Sequence, residues 1–127
     1  MASPPPPPLY TALADLAGWT LDRTASFPRS QRFTFGQRLD QRTLDALELV
    51  VRARFAAHAA KVPLLDELNL LLEQLRVLWR LSAQRGFISA QQLQHVIGRI
   101  DEGGRMTGGW RASLDPARAR APRQCGP

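Results

Sequence analysis

Between Pro63 and Arg85 the chain sets a leucine or another large apolar residue at nearly every position that a helix would turn inward. At 100° per residue, Leu64, Leu65, Leu68, Leu71, Leu72, Leu75, Leu78 and Trp79 share one broad arc. Asp66, Asn69, Glu73, Arg76, Arg80 and Gln84 gather in an opposing arc of about 80°. Strand alternation would scatter the same leucines over both faces, so the period dictates a helix packed against other helices. Leu70, Val77 and Leu81 form a further apolar strip beside the charged one. A bundle helix needs one apolar face, and this one has nearly two. Scattered surface leucines need no partner; a strip in register is the pattern of a second packing surface, and contact with another subunit is expected there.

The rest of the chain supplies the partners. A first helix is expected from Leu9 to Ser26, with Tyr10, Leu13, Leu16, Ala17 and Leu21 inward. Phe27-Pro28 closes it, because the residue before a proline is pushed out of the α region. A second helix is expected from an N-cap at Ser30 to about Ala59. Its apolar arc holds Phe33, Leu44, Leu47, Val50, Val51 and Phe55, and its polar side Gln31, Thr34, Arg38, Arg42, Asp45 and Arg52. Leu49, Asp40 and Arg54 run against that division. Pro63 suits the first turn of the third helix, which ends at Gly86. Ser89 with Gln92 forms a capping-box pattern for the fourth, running to about Trp110. Sustained period-two alternation is absent, and short connections make consecutive helices antiparallel. The expected fold is all-α: an up-down antiparallel four-helix bundle over residues 9–113. Residues 1–8, with Pro4 to Pro8 in polyproline II, and the basic tail 114–127 are expected to be disordered.

At 127 residues and 14.1 kDa the chain makes one domain. Cys125 is the only cysteine, so no internal disulfide framework or cysteine-built zinc site is available. No apolar run approaches the ~18–20 residues of a membrane helix, and the proline-rich start is unlike a signal peptide. A cytoplasmic protein without membrane association is expected. Net charge is +6, from seventeen basic and eleven acidic residues; sixteen of the seventeen are Arg, and Lys61 is the only lysine. The excess sits in residues 28–60 and 111–127, at +3 each.

Catalytic patterns are lacking. His58 and His95 fall on different helices, and neither has a second ligand at metal spacing on its own helix. Glu67 with Glu73, and Asp101 with Glu102, read as solvated helix faces rather than a facing acid/base pair. Gly103-Gly104 and Gly108-Gly109 lack the strand and the Lys-Ser/Thr ending of a phosphate loop. No enzyme activity, cofactor, metal or small-molecule substrate is expected. The functional lead is arginine. Arg38, Arg42 and Arg52 share one face of the second helix, and Arg76 and Arg80 one face of the third. Forked guanidinium donors suit phosphate and carboxylate alike. Pairing with neighbours, Arg42 with Asp45 and Arg76 with Glu73, is the competing use of these groups. Trp19, Trp79 and Trp110 fit core or interface positions better than base stacking, so phosphate contact with little sequence readout is expected.

Three motifs carry a family resemblance. Residues 27–39, FPRSQRFTFGQRL, resemble the pattern FPK..RFTLG.RI; residues 63–82, PLLDELNLLLEQLRVLWRLS, contain LRxLxRL; residues 104–110, GRMTGGW, match GRM.GGW. Together they resemble the accessory variability determinant proteins of diversity-generating retroelements, relatives of four-helix proteins encoded in ribosomal RNA intervening sequences. The resemblance spans about residues 9–113 and implies a four-helix bundle assembled as a homopentameric barrel. It further implies binding to the retroelement's reverse transcriptase and to template-repeat RNA and cDNA, in support of adenine-directed mutagenic retrohoming. By position, Arg76 and Arg80 correspond to the family's third-helix arginines and are the first candidates for partner contact, with Arg38, Arg42 and Arg52 next. Arg29 and Arg32 match basic positions of structural use. Two other readings remain: an intervening-sequence-type bundle that binds RNA without a polymerase, and an RNA-processing enzyme, which would need carboxylates or histidines converging in a pocket.

Overall fold

The computed structural model describes residues 7–114. Four long helices carry the fold: α1 Pro7–Thr24, α2 Gln37–Phe55, α3 His58–Gln84 and α4 Ala90–Ser113. A single α turn, Arg29–Gln31, and a five-residue π segment, Arg32–Gly36, lead into α2. Among the described residues there is no strand. Each helix packs against its chain neighbour, and α1 also lies against α4, which closes the four-helix bundle. The core is one cluster containing Leu13, Leu16, Leu39, Leu65, Leu68, Leu75 and Ile100, with Trp79 the largest wholly buried side chain. Trp79 meets Trp19 edge-on at 5.3 Å between ring centroids and Phe27 at 6.2 Å.

Helix ends follow their local chemistry. Ser89 Oγ accepts from the Gln92 backbone N–H at 3.0 Å while Gln92 Oε1 accepts from the Ser89 N–H at 2.9 Å, the capping box expected there. Past α3, Gly86 takes φ +79°; its N–H donates to the Ala83 carbonyl, and that of Phe87 to the Ser82 carbonyl. Those two bonds make a Schellman stop, and only glycine adopts this φ without cost.

Several boundaries differ from expectation. Pro7 and Pro8 belong to α1 rather than to an extended arm, because a first helical turn has no use for the N–H that proline lacks. The expectations for residues 1–6 and 115–127 lie outside the described residues. Ser30 is not an N-cap: the chain turns helical at Arg29 behind an extended Pro28, and no side chain caps it. Helix α2 ends at Phe55, and α3 begins at His58, so Pro63 stands inside α3. The carbonyl that Pro63 leaves without a donor belongs to Ala59, an exposed residue.

The inward faces of the first two helices are also rotated. Leu13, Leu16 and Ala17 are buried as expected, but Tyr10 and Leu21 are exposed, and Leu9, Thr20 and Thr24 take the inward positions. On α2 the buried residues are Leu39, Thr43, Ala46, Leu49, Val50 and Ala53, so Leu49 is core after all. Phe33, Val51 and Phe55 are exposed, Phe33 at 72% and Phe55 at 64%. Two causes combine. Half of the buried positions of α2 are the small residues Thr43, Ala46 and Ala53, which let helices approach closely but add little to an apolar pattern. The π segment adds a residue to the turn and shifts the phase of Phe33 against α2.

Candidate nucleic-acid and partner interface

The two arginine-bearing helices lie side by side as antiparallel neighbours, and a shallow groove runs between them. A cleft of about 270 Å³ there is lined by Arg38, Arg42, Glu73, Gln74, Val77 and Leu78. It adjoins a second hollow bounded by Thr34, Phe35, Arg38 and Leu78. Arg38 and Arg42 of α2 thus face Val77 of α3 across one groove, with Glu73 as its acidic wall. Arg38 is exposed and Arg42 half-buried. No salt bridge to either is present among the described residues, and Asp45 instead accepts from Gln41 Nε2 at 3.1 Å. Arg52 is exposed on the same side of α2, but ten residues beyond Arg42. That spacing is about 15 Å along a helix, nearly two Debye lengths at physiological salt, so Arg52 acts as a separate charge.

The third-helix arginines part company. Arg76 is spoken for: its guanidinium pairs with Glu73 on its own helix and with Asp101 on α4. Arg80, one turn further, is exposed, and no ion pair to it is present among the described residues. The charged stripe of α3 is therefore in part a seam to α4, reinforced where Arg111 Nε donates to Asp66 Oδ1 at 2.5 Å. Leu70, Val77 and Leu81 stand beside that seam, Leu70 at 58% and Val77 at 57% exposure.

The matching model is that of the bAvd-like family, over residues 10–114. The chain belongs to the bAvd-like family. That span holds all the motifs quoted from the sequence, from Phe27 ahead of the π segment to Trp110 near the end of α4, and agrees with their resemblance to accessory variability determinant proteins. Comparison with curated proteins and with solved structures gives no match.

The remaining polar groups of this bAvd-like bundle are dispersed. His58 is the exposed first residue of α3, and His95 lies on α4 with its ring 5.4 Å from that of Trp19. Among the described residues no group of three or more His, Cys, Asp or Glu converges to hold a metal, and no helix is long and apolar enough to cross a membrane. Trp79 is buried, and Trp19 and Trp110 pack half-buried against the core. One cation escaped the sequence reading. Lys61, the only lysine, donates from Nζ to the carbonyls of Ala53 at 2.7 Å and Arg54 at 2.8 Å, capping α2 from the start of α3. Its signal was its isolation: a lone lysine in an arginine-rich chain, just beyond a helix end.

Proposed function

We propose that this protein is a non-enzymatic accessory factor of a diversity-generating retroelement, binding the element's reverse transcriptase together with template RNA and cDNA. In this reading it works as a homopentameric ring and supports adenine-directed mutagenic retrohoming without itself polymerising. Family membership carries the reading, and the arginine groove between α2 and α3 supplies a physical means. Arg38, Arg42 and Arg80 offer forked donors to phosphate, or to carboxylates on the polymerase. Arg76, already holding two carboxylates, contributes by fixing α3 against α4 and contacts a partner only by exchanging one of them. Repetition of a +6 chain around a ring concentrates cationic potential where anionic RNA collects.

The test is co-purification of the full chain with the retroelement's reverse transcriptase and transcribed template RNA at graded salt. Arg38→Ala/Arg42→Ala/Arg80→Ala is expected to keep the helix content and lose the complex. Each phosphate contact removed lowers the slope of log K against log salt by roughly 0.7–0.9. A triple variant that binds both partners like the parent contradicts the assignment. RNA binding with no polymerase capture favours the intervening-sequence-type reading instead.

A further inference from the structure

The exposed large apolar side chains fall on two faces, not one. The first is the α3 strip of Leu70, Val77 and Leu81. The second follows the outer furrow between α1 and α2. At one end Tyr10, Val51 and Phe55 border a hollow with Arg54, and at the other Leu21 and Phe33 border a hollow with Arg32 and Asp40. Between them α1 presents Ala14 and Gly18, and a Cβ built on Gly18 would meet nothing within 4 Å. Leu44 and Leu47 of α2 are half-buried nearby. One face is a ridge of three branched side chains; the other is a furrow with aromatic ends.

We infer that the α3 ridge of one copy seats in the α1/α2 furrow of the next, a head-to-tail joint that rests on the ring assembly proposed above. Area supports a second copy as the occupant. By their fractional exposures the eight side chains leave on the order of 700 Å² of apolar surface open, against about 900 Å² of apolar area in a standard interface of 1,600 Å². The ridge paired with itself falls further short of that figure than the two unlike faces together, and two furrows set face to face would leave both hollows unfilled. Direction supports it as well. In a four-helix square, the α1/α2 edge and the outer side of α3 point roughly 90–135° apart. Copies joined through faces at that angle turn by roughly 45–90° per step and close into a small ring. Arg38 and Arg42, which share a cleft with Val77, then stand beside every joint.

Two exposed positions test the joint: Val77→Glu on the ridge and Val51→Glu in the furrow, with Tyr10→Glu replacing the second if it loses helix content. Native mass spectrometry of the parent is expected to show a multi-chain particle; single 14.1 kDa chains would overturn the ring reading itself and the joint with it. Each variant alone is expected to run as single chains. Mixed in equal amounts at high concentration, they retain one intact ridge and one intact furrow between them, and are expected to form two-chain particles and nothing larger. If either variant keeps the parent's particle, or the mixture stays as single chains, this pairing is wrong while the ring reading stands.

Discussion

Arg76 of α3 grips Asp101 of α4 with one arm of its guanidinium and Glu73 of its own helix with the other. Asp101 lies 25 residues further along the chain, so the contact fixes the register of two helices rather than decorating one. Both carboxylates are about half exposed, which limits the contribution. Arg76→Ala is expected to lower stability by up to about 1 kcal/mol, and Arg80→Ala to stay within about 0.5 kcal/mol of the parent. Paired thermal melts separate them; an equal fall in Tm would deny Arg76 its tie.

Asp40 predicts a pH dependence. Thr24 Oγ1 donates to it at 2.7 Å, yet burial outweighs that bond and raises its pKa above the ordinary 3.8. The native state holds this proton to higher pH than the unfolded chain does. Stability is therefore lost as pH climbs from 3.8 through the native value, and the loss persists at neutrality. Asp40→Asn keeps an acceptor for Thr24 and removes the charge. A higher Tm at pH 7, with the gain closing below pH 3.8, is the expected result; a lower Tm at pH 7 would mean that the ionised form is the favoured one.

The turn after α3 depends on one backbone conformation. Gly86→Ala places a Cβ at φ +79° and is expected to cost about 1 kcal/mol in urea denaturation. Gly98→Ala, inside α4 with open space where the Cβ would go, is expected to gain about 0.5–1 kcal/mol from helix propensity. Opposite signs from one chemical change would place the effect in the backbone; equal signs would not.

Lys61→Met removes the ammonium that caps α2 while keeping the aliphatic stem. Two part-buried carbonyls then lose a charged donor, and a loss of about 1–2 kcal/mol is expected by chemical denaturation. Lys61→Arg is expected to fall between, since the guanidinium fork does not fit two successive carbonyls as a compact ammonium does.

Helix number and order, the end of α3 and the start of α4 were legible because they rest on strong periodic or capping signals: the leucines of α3, Gly86, the Ser89–Gln92 box; α4 itself runs to Ser113, one turn past the expected Trp110. The inward faces of α1 and α2 were not. There Thr20, Thr24, Thr43, Ala46 and Ala53 are buried while Tyr10, Phe33 and Phe55 are exposed, the reverse of what side-chain hydrophobicity suggests. Thr43 can be buried because its hydroxyl donates to the Leu39 carbonyl at 2.7 Å, a local bond that composition does not reveal. Of the candidate site, the arginine faces were readable from the 3.6-residue period. What each arginine holds was not: Asp101 reaches Arg76 only once α3 and α4 are packed.

An arginine-coated bundle that assembles and holds RNA must show both in the mass of its particles. Native mass spectrometry of the full chain at working salt, with and without template RNA, tests it most directly. Particles of five 14.1 kDa chains that gain the mass of RNA and release it as salt rises are the expected result. Single chains of 14.1 kDa, unchanged when RNA is added, would contradict it.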